Sequence, residues 1–140
     1  MFNPSRDEVR EMFFGAWRKY REGVPLVGID AGALEVILQH PEYHALLEAP
    51  ERHRERDYND EANPFLHMSL HLAIEEQLSI DQPPGIRSRW QALLARAGDR
   101  HEAAHHAIEC LAETLWRASR EGRPPDAAAY LSCLERRAVT

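Results

Sequence analysis

A chain of 140 residues carrying 17 basic and 23 acidic side chains, formal charge -6, is sized for one domain that buries roughly two thirds of its extended-chain surface. The arginines are scattered and Lys19 is the single lysine, which argues against nucleic acid, where affinity comes from neutralised phosphates. No stretch approaches the roughly eighteen apolar residues of a membrane span, and the first residues lack a signal-like apolar core, so a cytoplasmic, non-membrane protein is expected.

The chain opens with a helix start: Ser5 is a cap and Glu8, three residues on, completes a capping box. Val9, Met12, Phe13, Ala16, Trp17 and Tyr20 recur at three and four residues and predict one wide apolar face over 4–22. Gly23 and Pro25 end it. A second helix, 27–39, has Leu34, Ile37 and Leu38 as its expected buried side, and Pro41 starts a short helix over 41–48. Residues 49–62 are the most polar stretch and read as a surface loop with at most one irregular turn. His40 and His53, beside loops, are expected in solvent, whereas His44 is open to either side.

Asn63-Pro64 restarts the chain as a helix over 64–80, in which His67, His71 and Glu75 follow one another at four-residue steps. Asp81 to Gly85 is a connector, and 86–97 is a helix with Ile86, Trp90, Leu93 and Leu94 inward. Asp99 caps the longest element, 99–121, with Glu102 as its capping-box partner. This helix repeats the earlier spacing with His101, His105 and Glu109, and the two histidines share an apolar stripe with Ile108, Ala112, Leu115 and Trp116. After Gly122 and Pro124-Pro125, Asp126 caps a last helix over 126–135, and the tail from about 136 is expected to fray. No segment alternates as a strand does. The prediction is an all-α protein, a compact bundle of six or seven helices in a single domain over 1–140, with no sheet.

Two histidines at i and i+4 on a helix are close enough to share one borderline metal ion, whereas a residue at i+8 is about 12 Å further along the axis. One ion is therefore expected to take neighbouring residues from helices 64–80 and 99–121. The candidate ligands are His67, His71, His101 and His105 with an oxygen from Glu109 or Glu75, and Glu35 or His44 as contributors from the first half. Mixed nitrogen and carboxylate ligation suits zinc, iron or manganese, and no cofactor at all is the equal alternative. Core histidines hydrogen-bonded to carbonyls or carboxylates are the bland reading of the same pattern.

His101-Glu102-Ala103-Ala104-His105 is also a literal HExxH, the zinc-peptidase pattern in which the glutamate activates water. No GxxH extension follows His105, no strand is available to bind a peptide, and Glu102 has a plain capping role. A metal-dependent hydrolase is thus the lesser alternative, and whether the protein is an enzyme stays open. The other alternative is a metal-free scaffold or protein-interaction domain, a homodimer through a helical face. Its motive is that Phe14, Met68 and Leu72 fall off the main apolar stripes. Cys110 and Cys133 form no CxxC and suggest a reducing compartment rather than a disulfide framework, with Cys110 pointing away from the stripe.

WRKYREG (17–23), HPEYH (40–44), NPFLHMSLHLAIEEQ (63–77) and DRHEAAHHAIECL (99–111) together resemble a small bacterial family, found mainly in proteobacteria and known as a domain of unknown function. That resemblance covers nearly the whole chain and implies no activity, cofactor or partner. In helix count and inward His/Glu sets the chain is also similar to hemerythrin-like and ferritin-like metal bundles. The ferritin-like pattern implies two Glu-x-x-His motifs, of which Glu102-x-x-His105 is the one present.

Overall fold

A computed structural model of the protein describes residues 5–59 and 62–139. The expected helix start at Pro4, the loop residues Asp60 and Glu61, and the last residue of the tail lie outside them. Every regular element among the described residues is helical. The α-helices are α1 (Arg6–Arg21), α2 (Ile29–Leu38), α3 (His44–Leu47), α4 (Pro50–His53), α5 (Pro64–Ile80), α6 (Ile86–Ala97), α7 (Arg100–Glu121) and α8 (Ala127–Val139), and a 3-10 turn, Pro41–Tyr43, leads into α3. The contacts divide the chain into two compact units, Met1–Leu72 and Ala73–Thr140, with the division falling inside α5.

Helices α1, α5 and α7 start where short polar side chains satisfy orphan backbone N–H groups. Ser5 and Glu8 make a reciprocal capping box on α1. Asn63 Oδ1 accepts from the backbone N–H of Phe65 (3.0 Å) and Leu66 (3.1 Å) at the head of α5. Asp99 accepts from Glu102 N–H at 2.9 Å on α7. Gly122, at φ +65°, closes α7 in the left-handed conformation that glycine adopts without a Cβ penalty. The polar stretch contains a helical turn, α4, because Pro50 supplies the fixed φ of a first helical residue. The expected frayed tail is instead helical to Val139.

In the first unit α1 packs on α2, and the core gathers Phe13, Phe14, Trp17, Ala33, Val36, Ile37, Leu47, Phe65 and Met68. Phe14 and Met68 are buried and Leu72 packs against this core. Those three residues therefore give no ground for a partner-binding face. Arg10 is the unexpected member of this interior: 2% exposed, it crosses under the polar segment and donates to the carbonyls of Arg56 (2.7 Å), Arg54 (3.0 Å) and His53 (3.4 Å). Its guanidinium also lies 4.8 Å from the Phe65 ring centre, a cation–π contact. Burial, reinforced by the nearby charge of Arg6, lowers its pKa from the ordinary arginine value.

In the second unit α6 packs on α7 and α8, and α7 on α8. The face of α7 that is buried differs from the expected one. Ala103, Ala104, Ala107, Ile108, Cys110, Leu111 and Thr114 are inside, while Leu115 (42%) and Trp116 (57%) are exposed, Trp116 with Arg120 over its ring. Small side chains let helices approach closely, so the alanine stripe wins the interior over the bulkier one. The same rotation corrects the reading of the cysteines. Cys110 faces α8 and forms a disulfide with Cys133, their Cα atoms 5.8 Å apart. No free cysteine is present among the described residues.

Candidate metal centre

The site is built at the end of α2. The buried side of that helix is Ala33, Val36 and Ile37, not the expected Leu34 and Leu38, and Leu38 is 44% exposed. Continuing the 33–36–37 stripe by one step of three or four residues reaches residue 40. His40, expected in solvent, is accordingly 1% exposed. Its Nδ1 lies 2.7 Å from the Val36 carbonyl oxygen. A carbonyl only accepts, so Nδ1 carries the proton, and a neutral ring then presents Nε2 as a lone pair. The Tyr43 ring stacks on His40 at 5.5 Å and 9°, which fixes the imidazole plane. Burial, with a smaller push from Glu42, holds the Tyr43 phenol above its ordinary range.

Opposite His40 stand His67 and His71 on the first two turns of α5, one helical step apart. Met68 and Phe65 anchor that stretch in the core and bring His71 to 4% exposure, with His67 half-buried. The His40 ring lies edge-on to His67 at 5.0 Å and to His71 at 4.6 Å between centroids. The Nε2 atoms of His67 and His71 are 3.2 Å apart. Two nitrogens bound tetrahedrally at 2.0–2.1 Å to one ion would stand about 3.3 Å apart, so this separation, itself that of a ring-to-ring hydrogen bond, is compatible with a shared zinc ion. One nitrogen from each of His40, His67 and His71 lies within 4.8 Å of the others, close enough that the set could hold a metal ion.

Of the expected ligands, His67 and His71 are thus together, joined by His40. The His101 and His105 rings of α7 also lie against each other, 4.3 Å between centroids, both half-buried. The carboxylates have other partners. Glu75 takes both oxygens to Arg100 (2.8 and 2.9 Å), and Glu109 pairs with Arg137. Glu35 and Glu102 are exposed. The ligand atoms that gather are all imidazole nitrogens, with no carboxylate and no histidine–glutamate pair among them. His44 turns inward for a different purpose: its Nε2 sits 2.9 Å from the Ile37 carbonyl and its ring lies 4.4 Å from Trp17. His53 is half-buried against the Tyr58 hydroxyl at 3.1 Å, not free in solvent.

A family model described as a domain of unknown function, DUF1841, matches residues 5–136. The chain belongs to the DUF1841 family. No curated protein and no solved structure matches it. Membership in DUF1841 carries no activity with it, so the chemistry rests on the histidines. No helix among the described residues is long and apolar enough to cross a membrane.

Proposed function

We propose that this DUF1841 protein binds one transition-metal ion through His40, His67 and His71, and that the ion is structural, tying the end of α2 to the first turns of α5. The observation that carries the reading is the pair of Nε2 atoms 3.2 Å apart, faced by a buried imidazole whose Nδ1 proton is committed to Val36. Histidine ligands usually have their second nitrogen held in this way, which fixes both tautomer and ring orientation. An all-imidazole set without carboxylate favours zinc over manganese, and iron(II) stands between them.

The test is metal content of untagged protein, stripped with chelator and reloaded with zinc, iron(II) or manganese in turn. One zinc per chain is expected for the wild type. His71→Ala and His40→Ala should retain none after gel filtration. A wild-type protein that stays metal-free in all three loadings sinks the reading. Zinc retained by both His71→Ala and His40→Ala does the same.

A further inference from the structure

The disulfide of the second unit borders a groove of about 540 Å³ between the last turns of α7 and the start of α8, a volume in the range of small-molecule sites. Its rim alternates in charge. Arg117, Arg123 and Arg136 stand among Glu113, Glu121 and Asp126, with Cys133 on the wall. Arg117 is held by Glu113 at 2.8 Å, and Arg123 by Glu121. Such a rim suits a ligand that carries both carboxylates and an ammonium, not one of a single sign. The two sulfurs are not equally open. Cys110 is 0% exposed beneath the α7–α8 contact, whereas Cys133 is 8% exposed and lines the groove.

We propose that this groove receives a small zwitterionic peptide thiol, which exchanges with the Cys110–Cys133 disulfide at Cys133. The thiolate attacks Cys133 Sγ and forms a new sulfur–sulfur bond there. The bond to Cys110 breaks, its electron pair leaves on Cys110 Sγ, and that sulfur takes a proton from water. A second thiol then attacks the incoming sulfur, releasing Cys133 as a thiolate and a small-molecule disulfide. Two thiols are oxidised and one protein disulfide is reduced, so the electrons balance. Access decides which sulfur is attacked, because exchange rates depend on the approach to the sulfur as well as on thiolate fraction.

The experiment uses the full oxidised chain and glutathione, with 2-mercaptoethanol as an uncharged comparison and each rate expressed per thiolate. Acid quench, alkylation and peptide mass spectrometry locate the mixed disulfide. The adduct is expected on Cys133, formed about fivefold faster with glutathione, the margin that two or three partly exposed ion pairs supply. Arg117→Ala/Arg123→Ala should erase that preference without changing the rate with 2-mercaptoethanol. If that variant does not fold, the wild type decides: the glutathione preference must shrink as ionic strength rises. The proposal is overturned by an adduct on Cys110, by equal rates for the two thiols, or by wild-type protein isolated under thiol-blocking conditions with both cysteines alkylated.

Discussion

Arg10 shows how one side chain can organise a stretch that has no periodicity of its own. The segment after α4 follows neither a helical nor a strand pattern, yet two of its carbonyls, with that of His53 at the end of α4, converge on one guanidinium that is 2% exposed. Replacing it by a side chain of similar bulk, Arg10→Met, leaves those carbonyls without their donor and is expected to lower stability by about 2–3 kcal/mol. Urea denaturation measures the loss, and faster amide exchange over 53–59 locates it. Asp81 behaves oppositely, at the surface. It sits at φ +51° after α5, and its carboxylate accepts from the backbone of Arg87 (3.0 Å) and Gly85 (3.4 Å). Those hydrogen bonds, that from Arg87 first, hold its pKa below the usual aspartate value. A carboxylate lowered on folding stabilises above its unfolded pKa, and the contribution disappears as pH falls through the folded value. Asp81→Asn keeps a residue that tolerates positive φ but removes the charge. Its stability deficit should therefore be full at pH 6 and shrink as pH falls below the ordinary aspartate range, read by urea midpoints across that range. Asp81 was visible in the sequence only as a connector residue, and Arg10 only as a charge on a helix, because both roles depend on backbone brought from elsewhere in the fold.

At the scale of elements, boundaries were legible and faces less so. Ser5 with Glu8, Asn63, Asp99 and Gly122 each announce a helix end by chemistry that acts within four residues, and each stands where its local signal puts it. Which side of a helix is buried depends on what packs against it. On α7 two stripes compete, one through Leu115 and Trp116 and one through Ala103, Ala107, Cys110, Leu111 and Thr114, and hydrophobicity favours the first while close packing selects the second. The same ambiguity on α2 hid His40, although the sequence holds the 33–36–37–40 spacing that would have revealed it. With Cys110 turned inward, the disulfide cross-links α7 to α8 over a separation of 23 residues. Closing a loop of that length restricts the unfolded chain enough to contribute roughly 3 kcal/mol. Cys110→Ala/Cys133→Ala should lose about that amount relative to oxidised wild type in urea, and adding a reductant to the wild type should reproduce most of it. Identical midpoints for oxidised and reduced wild type would show that the bridge adds nothing to stability.

For the molecule as a whole, the proposed ion belongs to folding before it belongs to chemistry. Three imidazoles that gather only in the folded first unit have no equivalent set in the unfolded chain, so zinc that binds them stabilises the fold by mass action. Free zinc at a hundred times the dissociation constant adds about 2.7 kcal/mol. Part of this was readable from the chain: the His67–His71 pair follows from four-residue spacing, whereas the pairing of Glu75 with Arg100 and of Glu109 with Arg137 depends on packing that spacing does not show. The two compact units make the consequence testable by region. Amide hydrogen exchange of chelated and zinc-loaded protein, compared segment by segment, should show slower exchange over 36–44 and 64–72, where His40, His67 and His71 are carried. Exchange unchanged by zinc in both units, at a concentration that saturates the metal analysis, would mean that the histidines pack as a core and hold no ion.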